Sequence, residues 1–164
     1  EHPFTVNLNG SSHTVAYEPG ESQSYLFGGN SNWRGPVWFP INYLIIETLE
    51  QYAYFYHDEL LAECPTGSGK SMTLQQVADH LTDRLCDIFE ADAKGRAPWH
   101  GSSIRPLVDE HWREPQLFYE YFHGDTGRGL GASHQTGWTA LIARLLEDKA
   151  RRRRLAGAGG GGKP

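Results

Sequence analysis

Residues 37–56 restrict the possible folds more than any other stretch. Across them Val37, Trp38, Phe39, Ile41, Tyr43, Leu44, Ile45, Ile46, Leu49, Tyr52, Phe55 and Tyr56 leave no continuous polar face. Pro36 suits a first helical turn, where its missing N–H is not needed, so the segment predicts a helix over 36–57. A helix apolar on nearly every side has to be surrounded by other elements. Two more helices are expected. Thr73 and Gln76 form a capping-box pattern ahead of a stripe of Leu74, Val77, Ala78, Leu81, Leu85 and Ile88. Residues 136–148 carry Trp138, Leu141, Ile142, Leu145 and Leu146 at the same spacing. Residues 4–8 and 13–17 alternate apolar and polar side chains around Asn9-Gly10-Ser11-Ser12, which predicts a β-hairpin. Three helices and a hairpin offer too little surface to enclose the first helix, so helices of a larger assembly are expected around it. A compact α-rich domain or a dimer is the alternative.

Charge and composition remove several classes of function. The formal net charge is −5, but Lys149, Arg151 to Arg154 and Lys163 provide six of the fifteen basic residues, and no acidic residue follows Asp148. The rest of the chain is therefore strongly acidic and would repel a phosphate backbone, so no nucleic-acid partner is expected. Residues 149–164 have the low complexity of a disordered basic, glycine-rich tail, leaving 1–148 as the ordered part. Cys64 and Cys86 fit neither a disulfide framework nor a zinc site, and no metal or cofactor is expected. No stretch is long and apolar enough to span a membrane, and the first residues do not resemble a leader. The compartment is not legible, although the lack of an anchor points toward a soluble, cytoplasmic setting. A chain that begins at Glu1 reads as cut from something longer.

One motif invites a misreading. Cys64-Pro65-Thr66-Gly67-Ser68-Gly69-Lys70-Ser71 looks like a phosphate-binding loop, and Val108-Asp109-Glu110-His111 looks like its magnesium partner. Such a loop needs a buried parallel strand feeding glycine N–H groups onto a helix N-terminus. Here the preceding residues are charged, the first glycine is replaced by Cys64, and only Leu107-Val108 precedes Asp109. A nucleotide-binding module therefore stands only as a remote alternative.

Two segments look like a sugar site. Trp33-Arg34-Gly35-Pro36-Val37-Trp38 places two indoles and a guanidinium at a tight turn, with Asn42 one helical turn further on. Aromatic faces stack on the C–H faces of sugars, while Arg and Asn address hydroxyls directionally. Tyr119-Glu120-Tyr121-Phe122 sets one carboxylate among aromatics ahead of a glycine-rich loop and His134-Gln135-Thr136-Gly137-Trp138. A carboxylate so placed could act as a general base on water, although a lone Glu among aromatics is more often a structural, salt-bridged residue.

The segments FGGNSNWRGPVWFPINYL and FYEYFHGDTGRGLGASHQTGWTALIARLL resemble the C-terminal blocks of glycoside hydrolase family 63, the family of processing α-glucosidases and their bacterial relatives. The similarity runs over residues 4–146. It implies a mainly α fold, part of an (α/α)6 barrel carrying an N-terminal β-hairpin, in which the all-apolar helix is an inner barrel helix. It also implies hydrolysis of α-glucosidic or α-mannosidic bonds in an oligosaccharide or glycoside, with inversion, and Glu120 as the general base. Trp33, Arg34, Gly35, Trp38, Asn42, Tyr119, His134, Gln135 and Trp138 would bind substrate. The family's general acid is an Asp upstream of the WRG block, and nothing here corresponds to it. Glu47, Asp109, Glu110 and Glu114 match no acid position. Since inversion needs two carboxyl groups roughly 6.5–9.5 Å apart, the chain is expected to hold half of a catalytic pair, with the missing N-terminal part of the same enzyme as its partner and little activity alone. A non-catalytic carbohydrate-binding domain is the alternative.

Overall fold

A computed structural model describes residues 3–23, 33–102 and 117–159. It is mainly helical, with three small antiparallel hairpins. In chain order the elements are β1 (Phe4–Leu8), β2 (Ser11–Val15), α1 (Phe39–Tyr56), β3 (Leu61–Glu63), β4 (Ser71–Thr73), α2 (Leu74–Asp87), β5 (Tyr121–Phe122), β6 (Gly129–Leu130), α3 (Thr136–Thr139) and α4 (Leu141–Gly159). Single turns of 3-10 helix lie at His57–Glu59 and Pro98–His100.

The expected hairpin is present, with Phe4 opposite Val15 and Leu8 opposite Ser11. Its second strand begins at Ser11, two residues earlier than the alternation indicated, because the left-handed pair Asn9-Gly10 makes the turn without Ser11 and Ser12. The capping box on α2 forms as read: the Thr73 hydroxyl accepts from Gln76 N, and the Gln76 side chain accepts from Thr73 N.

The phosphate-loop lookalike is the connection of an antiparallel hairpin between β3 and β4. Gly69 N donates to the Glu63 carboxylate, and the following helix already carries its own cap. A cradle of free N–H groups on a helix N-terminus is thus not built here, which removes the nucleotide-binding alternative. Asp109, Glu110, Glu114 and the 108–111 box lie outside the described residues.

The C-terminal segment differs from expectation. Residues 149–159 are helical, continuing α4, instead of forming a disordered tail. Lys149 is buried and bonds Asp87 and Glu90 at 3.2 and 2.7 Å, while Arg152 reaches Asp79 and Asp83. Asp79, Asp83 and Asp87 of α2, with Glu90 just beyond it, thus anchor Lys149 and Arg152, while Arg151, Arg153 and Arg154 stay exposed. Residues 160–164 lie outside the described residues. The helix expected over 136–148 is divided into α3 and α4 at Ala140.

The core sits where α1, α2 and α4 meet. Phe39, Ile46, Ala78, Leu85, Cys86, Phe89, Trp99, Phe122, Ile142 and Leu145 form one buried cluster. Burial pushes the Cys86 thiol up to about 11, and both cysteines are free. Only one side of α1 is covered among the described residues. Ile41, Leu44, Ile45, Tyr52, Tyr54, Phe55 and Tyr56 remain exposed, Tyr54 at 82%. No described helix is long and apolar enough to cross a membrane.

Candidate active site

The two chemistry-bearing blocks are brought together by a bridge that pairs single residues. Val37 N donates to Phe122 O at 2.8 Å, and Phe122 N donates back to Val37 O at 3.0 Å. This antiparallel contact places the turn of Trp33 to Trp38 against the strand that follows Glu120. On the inner side Phe122 and Phe39 meet edge to face in the core. On the outer side Trp33 stacks on Trp38 with centroids 4.1 Å apart and planes 7° from parallel, and Trp38 stacks on Tyr121 at 4.4 Å. Trp138, from α3, tilts against both indoles at 5.6 and 6.4 Å.

The stack divides the work between its members. Trp38 has an aromatic ring on each face and is 3% exposed, whereas Trp33 is 53% exposed and keeps one face open. An exposed indole face is a surface on which the C–H face of a sugar can stack. Trp38 and Tyr121 hold that face rigid from behind.

Glu120 adjoins this stack through its neighbour Tyr121. Its backbone N donates to Ala132 O at 2.8 Å, and its carboxylate Oε2 accepts from Ala132 N at 3.3 Å. The loop after β6 therefore wraps the carboxylate, and it does so closely: a Cβ on Gly131 would lie 2.7 Å from Glu120 Oε2. Glu120 stays half-buried. Burial first, then the charges of Glu21 and Glu120, raises the Tyr121 hydroxyl above its ordinary value, which puts two carboxylates within electrostatic reach of one ring.

Other expected site residues are placed unequally. Arg34 Nη2 bonds Glu18 Oε2 at 2.7 Å. Gly35 is a packing glycine, since its Cβ would lie 2.3 Å from Glu18 O. His134 is exposed in the loop that pairs with Phe118, and Gln135 N donates to Phe118 O, so both flank the Glu120 segment. Tyr119 is turned into the main core near Trp99 and Phe122, and its carbonyl accepts from Thr139 Oγ1. Asn42 donates its side-chain amide to Trp38 O and lines a cleft of about 330 Å3 with Val37, Arg84, His123 and Asp125. A second cavity, of about 850 Å3, lies between Glu90, Arg96, His123 and Arg128. Glu120 and the indoles line neither of these two hollows. Glu47 is bonded by the Tyr43 hydroxyl, further along α1. No group of acids, histidines and cysteines suited to a metal occurs among the described residues.

A strap of residues 17–21 was not legible as part of the site. Tyr17 Oη donates to Asp125 Oδ1 at 2.8 Å, Gly124 N donates to Pro19 O at 2.8 Å, and Glu18 holds Arg34. It touches both blocks. A lone Tyr-Glu-Pro-Gly has no spacing that would announce this role.

The chain matches the sequence profile of the mannosylglycerate hydrolase MGH1-like glycoside hydrolase domain over residues 12–139. It is 49% identical over 150 residues to an uncharacterized protein of Saccharomyces cerevisiae, covering 90% of this chain and 14% of that protein. It is also 28% identical over 125 residues to the mannosyl-oligosaccharide glucosidase of the same yeast, covering 76% of this chain and 12% of that protein. The chain thus spans a small part of the length of these relatives. No solved structure matches it significantly. Since the profile covers most of the chain, including the strap, the indole stack and Glu120, the chain belongs to the MGH1-like glycoside hydrolase domains of the family 63 type.

Proposed function

We propose that this chain forms the base-bearing side of the active site of an inverting glycosidase acting on α-glucosidic or α-mannosidic bonds in an oligosaccharide or glycoside. The observation that carries this reading is the half-buried Glu120 carboxylate, fixed by Ala132 N, adjoining a stack that ends on the open face of Trp33. In this reading Trp33 receives the sugar ring, Arg34 addresses its hydroxyls, Trp138 and the loop holding His134 and Gln135 border the subsite, and Glu120 takes a proton from the attacking water. Trp38 and Gly35 position these groups. Asn42 bonds the carbonyl of Trp38.

The general acid comes from another segment of the polypeptide, as do the helices that cover the open side of α1 in a complete (α/α)6 barrel. The exposed row of Ile41, Leu44, Ile45, Tyr52 and Phe55 supports this, because an apolar face of that length is stable only against partners. By itself the chain binds saccharide without turning it over.

Glu120→Gln tests the assignment in a polypeptide that contains the rest of the barrel. The substitution is expected to lower turnover of p-nitrophenyl α-glucoside or α-mannoside by about 10²–10⁴-fold while saccharide binding persists. NMR of the first-formed anomer reads the stereochemistry. Near-normal turnover in the variant would sink the base assignment, and a retained anomer would sink inversion. Binding without turnover in the complete, unsubstituted polypeptide would favour the carbohydrate-binding alternative.

A further inference from the structure

The β5–β6 ladder loses its register next to Glu120. Tyr121 pairs with Leu130 and Phe122 with Gly129, and His123 N donates to Arg128 O. Bonded pairs alternate along an antiparallel ladder, so the one after Tyr121–Leu130 would be Tyr119 with Ala132. That pair is replaced. Ala132 O accepts from Glu120 N, one residue off, while Tyr119 O accepts from Thr139 Oγ1. The slip falls at Gly131, whose φ of +69° is left-handed, as in bulges that open on a glycine. A strand N–H that has lost its carbonyl must find another acceptor. For Ala132 that acceptor is Oε2 of Glu120, at 3.3 Å. Oε1 accepts no hydrogen bond from the described residues.

We propose that Gly131 is a positioning residue for Glu120: the slip it permits hands the Ala132 N–H to Oε2, and its lack of a side chain leaves the carboxylate room to take that bond. This rests on the reading of Glu120 as the general base. A Cβ at Gly131 would stand 2.7 Å from Glu120 Oε2, 2.7 Å from Tyr121 Cε1 and 3.0 Å from Glu120 Cβ. The Tyr121 ring is buried against Trp38 and cannot retreat, so the carboxylate tip is the part that yields. A base tied through one oxygen has fewer orientations to lose before it meets water, and a displacement of about 1 Å can cost about a hundredfold in rate. Gly131 itself touches no substrate in this arrangement and works through Glu120.

Two measurements separate the inference from the reading it rests on. In the first, the Ala132 amide of the full chain is followed by 1H–15N NMR as acid is added, in the parent, Glu120→Gln and Gly131→Ala. A charge-assisted bond weakens when its carboxylate is protonated, so the parent amide is expected to shift with acid and both variants to lose that response. A parent amide that ignores acid, or an undiminished response in either variant, overturns the inference whatever the activity. If Gly131→Ala does not fold, the parent and Glu120→Gln still decide. In the second, turnover of p-nitrophenyl α-glucoside and α-mannoside is measured in the polypeptide that contains the rest of the barrel. Gly131→Ala is expected to lower kcat by about ten- to a hundredfold with KM within about twofold. The double substitution Gly131→Ala/Glu120→Gln should be no slower than Glu120→Gln alone. Gly131→Asn accepts the left-handed φ but keeps a Cβ, so it should lose turnover as Gly131→Ala does. A parent-like kcat in Gly131→Ala, recovery in Gly131→Asn, or losses that multiply in the double variant would overturn the positioning role. Near-normal turnover in Glu120→Gln, with the Ala132 response intact in the parent, would instead sink the base reading and with it the catalytic purpose of the bond.

Discussion

Gly35 and Gly124 are the points where the two halves of the site come nearest to colliding. A Cβ on Gly124 would stand 2.3 Å from Gly35 O and 2.6 Å from the Tyr17 hydroxyl, and one on Gly35 would stand 2.3 Å from Glu18 O. The obstacles are mostly backbone, which cannot swing away as a side-chain tip can. Gly35→Ala should therefore cost about 1–3 kcal/mol, in the range of overpacking a closed interface. It should also alter the near-ultraviolet circular dichroism of the Trp33–Trp38 stack. Denaturant unfolding checks the first effect, and an unchanged midpoint would mean that the blocks are not locked at this glycine. The glycine was visible in the sequence, but the reason for it was not, because the atoms it avoids come from residue 18 and their approach is set by tertiary packing.

At the scale of elements, what could be read in advance was whatever closes within a few residues. The Thr73–Gln76 box is such a case, and Thr73→Ala should lower stability by about 1 kcal/mol in thermal unfolding without changing the tryptophan signal. The first hairpin was legible for the same reason. The β3–β4 hairpin was not expected, because three-residue strands carry too little alternation to register. The basic run of α4 looked like a disordered tail, since the partners of Lys149 and Arg152, which are Asp87, Asp79 and Asp83, lie on α2, more than sixty residues earlier. Local composition said low complexity, and only the packed pair of helices makes it structure. Lys149 illustrates the balance: burial would push its ammonium down, but the bonds to Glu90 and Asp87 win and hold it above its ordinary value.

For the molecule as a whole, the all-apolar helix was expected to need neighbours on every side, and the described residues cover one side of it. Both segments stood out in the sequence, whereas the Val37–Phe122 bridge that joins them did not, because pairing of single residues leaves no period in a sequence. Stability should also depend on pH through His100. Its Nδ1 lies 2.9 Å from Ala97 N and 3.1 Å from Ala97 O, and its Nε2 is buried without a partner among the described residues. Burial mainly, and the Arg96 charge as well, lowers its pKa despite the bond to Ala97. The unfolded chain therefore takes up this proton first. Stability from this residue is complete above about pH 6.5 and falls as pH drops through that value toward the lowered one. Melting midpoints should decline from about pH 7.5 to about 5.5, and His100→Gln should flatten the decline. An equally steep decline in that variant would assign it elsewhere. Glu50, raised by burial and by the charges of Glu47, Asp148 and Asp79, opposes this trend only at more acidic pH.

The Val37–Phe122 bridge also bears on the order in which the chain assembles. Residues 37 and 122 can pair only after the intervening α1–α2 unit has folded back, because closing so long a loop is entropically costly until nearby contacts compensate. The indole stack is therefore expected late in folding. A nick anywhere between the two blocks would leave every site residue intact and yet scatter them, so the optical signature of the indole stack reports on completion of the fold as a whole.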